Sequence, residues 1–133
     1  MKRWVWATGM VTTLALLAPV VGQDKSLTIK EAMRKLHKGS ENIRVAVGRE
    51  LKADPIEWEQ IQKDTKVYHE FAEVLPKNAP PRGEKAAWEK VSGDFVDQAK
   101  SLSESAKKKD LSGAKTAYAK LGGSCKNCHN AHK

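Results

Sequence analysis

Cys125-Lys126-Asn127-Cys128-His129-Asn130-Ala131-His132-Lys133 holds two cysteines three positions apart, with a histidine directly after the second. This C-x-x-C-H arrangement is the attachment signature of a c-type haem. On a helix, side chains three and four positions apart share a face. Two thiols so placed can add to the two vinyl groups of one ring, and the imidazole of His129 can reach the iron as an axial ligand. Other chemistries are less well served. A redox dithiol of the thioredoxin type opens a helix in an α/β setting, whereas here the pair closes a helical pattern. A zinc site wants four ligands; there is no second cysteine pair, and His132 could serve only with strain. A disulfide across two residues would close a small, strained loop.

Working outward, Leu111, Ala114, Tyr118, Leu121, Cys125 and Cys128 recur at three- and four-residue spacing. That is the apolar stripe of one amphipathic helix, with Asp110 as its N-cap. The cysteines therefore lie in a core seam, and the ring must insert among helices. Gly122 and Gly123 weaken the helix but let a flat ring come close to the backbone. Before it, a helix from about Glu84 to Lys108 carries Trp88, Val91, Phe95, Ala99, Leu102 and Ala106, and Lys107–Lys109 suit its negative end. Asp54-Pro55 reads as the N-cap and first residue of another helix, with the stripe Trp58, Ile61, Thr65, Tyr68, Ala72 and Leu75, stopped by Pro76. Residues 77–83 form the one obvious loop. The first helix opens with the capping box Thr28-Ile-Lys-Glu31. Its stripe is Ile29, Met33, Leu36, Ser40, Ile43, Val47 and Leu51, interrupted only by Ser40. No strand-like alternation occurs. The expected fold is all-α: an antiparallel up-down-up-down four-helix bundle with haem inserted near the C-terminal helix.

Met1-Lys-Arg3 followed by the apolar run Trp4–Val21 reads as a secretory signal peptide over residues 1–22, with Gly22 before the cut. The run is almost long enough to span a bilayer, but Pro19 and Gly22 end it, and cleavage leaves no membrane segment. Residues 23–133 then form one domain, large enough for a single core. Export agrees with the motif, since a c-type haem is installed outside the cytoplasmic membrane. Both cysteines belong to the motif, so no disulfide framework remains. Removing Lys2 and Arg3 lowers the formal charge from +8 to +6, which suits steering toward an acidic partner. Lysines alternate with Glu and Asp, and no nucleic-acid reader motif is present.

If the iron is six-coordinate, its second ligand is a thioether or an imidazole. The first and last helices can be neighbours in such a bundle, and Met33 lies on the first helix's stripe. Ser40 leaves a gap in that seam, making room for the ring. His37, one turn on, reads as a boundary histidine near solvent, and His132 as a ring packed beside the haem.

These residues resemble the class II c-type cytochromes, which include cytochrome c prime and its low-spin relatives. The resemblance covers the whole exported chain, and the position of C-x-x-C-H in the last helix is its most specific part. The family pattern continues to an aromatic and then a basic residue. Lys133 matches the second, and His132 replaces the first. The resemblance implies one covalently bound haem c on Cys125 and Cys128, with His129 as proximal ligand and Met33 as distal ligand. High-spin members instead leave the iron five-coordinate and bind nitric oxide or carbon monoxide. The expected function is a periplasmic single-electron carrier that serves redox partner proteins, as a monomer or homodimer. No nucleophile–base pair or carboxylate dyad marks it as an enzyme. Gas binding on an open distal face is the alternative, and a helical module without haem is the third reading.

Overall fold

The computed structural model describes residues 27–133. Among them five helices and no strand are formed: α1 Ile29–His37, α2 Ile43–Glu50, α3 Trp58–Ala72, α4 Lys85–Lys107 and α5 Leu111–His132. α1 and α2 together make the first arm of an antiparallel four-helix bundle. α3 packs on both of them and on α4, and α4 packs along α5. The leader read over residues 1–22 lies outside the described residues, and no described helix is long and apolar enough to cross a membrane.

The capping box at Thr28 forms as expected: its Oγ1 accepts from the Glu31 amide at 3.2 Å, and Glu31 Oε2 accepts from the Thr28 amide at 2.9 Å. The single helix expected from Ile29 to Leu51 does not form. α1 stops at His37 because Gly39 takes a φ of +92°, a conformation open to glycine and costly for other residues. Asn42 then restarts the chain. Its Oδ1 accepts from the Val45 amide at 3.0 Å, and its amide nitrogen donates back to the Gly39 carbonyl. Ser40 sits in this exposed turn rather than in the seam, so it makes no room for a ring.

A second correction concerns Asp54. α3 begins at Trp58, behind Glu57, with no side-chain cap. Ile56 turns in against the core, and Asp54-Pro55 stays in the connection. From Ile61 onward the stripe is as read: Ile61, Thr65, Tyr68, Ala72 and Leu75 are all buried. Thr65 and Ser92 return their hydroxyl hydrogens to carbonyls four residues back, at 2.7 Å each, so neither is an unpaired polar group in the core. Between α4 and α5, Asp110 caps as expected, accepting from the Gly113 amide at 2.9 Å. The core gathers Leu36, Val47, Ile61, Leu75, Leu102 and Leu121, each contributing on the order of 1.5–3 kcal/mol by burial.

Candidate haem site

α5 is one continuous helix from Leu111 to His132, so the spacing of the motif becomes a common face. Cys125, Cys128 and His129 line the same cavity, whose volume is about 360 Å³. Leu75, Val91 and Phe95 supply an apolar wall, and α1 contributes Met33 and His37 from across the cavity. α5 also touches the first arm through α2: the Tyr118 hydroxyl donates to the Arg44 carbonyl at 2.9 Å, and the Arg44 guanidinium lies 5.6 Å from the centre of the Tyr118 ring.

The residues present fit a haem. Both thiols are unpaired, and Cys125 Sγ makes only a long 3.4 Å contact to the Leu121 carbonyl. Burial, then the neighbouring Cys125, raise the Cys128 thiol above its usual range. Gly123 lines the cavity with open space where a side chain would stand. Gly122 has a different duty from the one expected: a Cβ there would come within 3.0 Å of the Arg44 guanidinium. Gln98, also on the wall, has a buried Oε1 with no partner. Among the described residues no group of three or more His, Cys, Asp or Glu side chains is assembled to hold a metal ion, so the zinc reading of the cysteine pair finds no further ligands.

His132 differs from its sequence reading, whereas His37 is half-buried, as a boundary histidine is expected to be. The His37 ring packs edge-on against Tyr68 at 6.0 Å and against Phe95 at 6.4 Å. Burial above all, then Arg44 and His129, lower its pKa to about 4, so the ring is neutral near pH 7. Tyr68 beneath it is buried, and burial followed by Cys125 holds its phenol above the ordinary range. His132 turns away from the cavity wall. Its Nδ1 lies 3.0 Å from the Arg82 carbonyl, and its ring meets Trp88 at 5.4 Å. Arg82 reciprocates, donating to the Asn130 carbonyl at 2.9 Å. Together they clamp the last turn of α5 onto the loop before α4, which holds the motif's helix in place from outside the cavity.

The family model described as Cytochrome C' matches residues 29–133. The chain belongs to the cytochrome c′ family. Members of this family carry one covalently attached haem c and serve in electron transfer or gas binding. The match takes in all five helices and both cysteines of a cytochrome c′ attachment motif. No curated protein and no solved structure gives a significant match.

Proposed function

We propose that this chain is an exported carrier of single electrons, and not an enzyme, with one haem c held by Cys125 and Cys128 and both axial positions filled by protein side chains. When bound, haem c supplies an iron that alternates between its ferrous and ferric states. The observation that carries the reading is the shared cavity. The two thiols and the imidazole of His129 line it from α5, and potential ligands, Met33 among them, line it from α1.

His129 would hold the iron as proximal ligand; Met33 is the distal ligand the resemblance implies. Leu75, Val91 and Phe95 make part of the lining apolar, which strengthens the effect of the fixed charges and dipoles around it. Protein side chains on both faces of a bound haem would keep its surroundings nearly constant between the two states. α5 carries Lys115, Lys120 and Lys126, all exposed, and no Asp or Glu. That favours an acidic redox partner approaching the helix that bears the motif. Family members are typically periplasmic, which supports reading residues 1–22 as a leader.

The test is the visible spectrum of matured protein in both oxidation states, with carbon monoxide added to the reduced form. Low-spin spectra unmoved by the gas are expected. A high-spin ferrous form that takes up carbon monoxide readily would assign the chain to gas binding instead. Replacing both cysteines with alanine abolishes covalent haem staining on a denaturing gel; persistent staining would refute the attachment points.

A further inference from the structure

We propose that His37, rather than Met33, is the distal ligand to the haem iron, opposite His129. This deepens the electron-carrier reading and rests on it. Met33 and His37 are one helical turn apart on α1, about 6 Å along its axis, so one iron can take only one of them. Both line the cavity, but their surroundings differ in kind. Met33 is half-buried against the hydrophobic core. A thioether is satisfied by such packing and needs no polar partner.

His37 is not satisfied in this way. Its ring is fixed between Tyr68 and Phe95, and among the described residues neither ring nitrogen has a hydrogen-bond or ion-pair partner. The ring is half-buried, and its nitrogens keep access to the open space of the cavity it lines. A nitrogen lone pair is thus left uncommitted at the cavity wall, where an iron would use it. His129 lines the same cavity, so imidazoles from α1 and α5 face the same space. The break at Gly39 contributes as well. It makes His37 the last residue of α1, free of the next turn of helix that would otherwise follow it. Coordination requires only that a neutral imidazole lend its lone pair, with no proton or leaving group to dispose of.

The experiment uses matured, haem-bearing wild type, His37→Gly and Met33→Leu, read by visible absorption and electron paramagnetic resonance in both oxidation states. Wild type is expected to be low-spin without the far-red charge-transfer band that a thioether gives to ferric iron. Met33→Leu should keep that spectrum. His37→Gly should turn high-spin and return to low-spin when free imidazole is added. The wild-type band stands as evidence even if the glycine variant folds poorly. A thioether band in wild type, or conversion of Met33→Leu to high spin while His37→Gly stays low-spin, overturns the assignment and leaves the electron-carrier reading intact. A wild type that is high-spin in both states overturns the assignment together with the six-coordinate reading. Protein without covalent haem removes the cofactor itself.

Discussion

Replacing Gly48 with alanine should destabilise the bundle, whereas the same change at Gly93 should stabilise it. In an open helix interior, glycine to alanine gains roughly 0.5–1 kcal/mol. At Gly93 in the middle of α4 a new Cβ meets nothing within 4 Å, so that gain is realised. At Gly48 in α2 the new Cβ would overlap the Tyr118 hydroxyl and lie 2.9 Å from Cζ of its ring. The phenol must swing away. It then gives up the hydrogen bond to the Arg44 carbonyl, worth about 0.5–1.5 kcal/mol, and its contact with the Arg44 guanidinium, worth about 0.5–1 kcal/mol. Setting the helix gain against these losses leaves a net cost of about 0.5–1.5 kcal/mol. For a domain of this size that lowers the melting temperature by about 2–6 °C. Urea unfolding followed by circular dichroism, with both variants and a Tyr118→Phe control, measures it. A Gly48→Ala protein as stable as Gly93→Ala would refute the packing of Tyr118 against α2.

Glu50 is held at a pKa of about 7 by burial, then by its neighbour Asp64, and its Oε2 has no donor. The folded state thus keeps a proton that the unfolded state releases from about pH 4.5 upward, so stability falls as pH rises from 4.5 to 7. Glu50→Gln is expected to be more stable than wild type above pH 7, with the difference fading toward pH 4.5; parallel urea titrations at the two ends check this. Asn42→Ala removes the α2 cap and the bond back to Gly39. It should cost about 1–2 kcal/mol, and Asn42→Asp, which keeps the cap oxygen, should cost less in the same denaturation assay. His132→Ala leaves the Arg82–Gly83 turn without its buried ring partner. A loss of about 1–3 kcal/mol is expected, with faster amide exchange confined to residues 129–133 and the loop before α4.

Most of the bundle could be read from the spacing of apolar residues, because long stripes such as Ile61–Leu75 and Trp88–Ala106 repeat often enough to fix a face. The errors arose where a local signal competed with the stripe. Lys38-Gly39-Ser40 is a helix-stop signal, yet the apolar positions on either side of it keep the same spacing and made two short helices look like one. Asp54-Pro55 has the composition of a helix start, but Ile56 gains more by reaching the core than by entering a helix. That Cys125, Cys128 and His129 meet at one cavity was legible because helical spacing puts them on one face. The packing of His37 was not, because its neighbours Tyr68 and Phe95 come from α3 and α4. The same holds for Arg44, whose place against Gly122 and Tyr118 depends on how α2 meets α5. The role of His132 was misjudged for the same reason, since Trp88 and Arg82 lie about 50 positions away.

The interrupted first arm bears on the order of assembly. A nine-residue helix is too short to persist by itself in water, so α1 depends on α2 and α3 for its structure. α4 and α5, each more than twice that length, can pair without it. Opening residues 29–42 at the Gly39 joint would expose Cys125 and Cys128 while the rest of the core stays packed. The thiols of this protein can therefore be reached late in maturation, on a chain already largely folded.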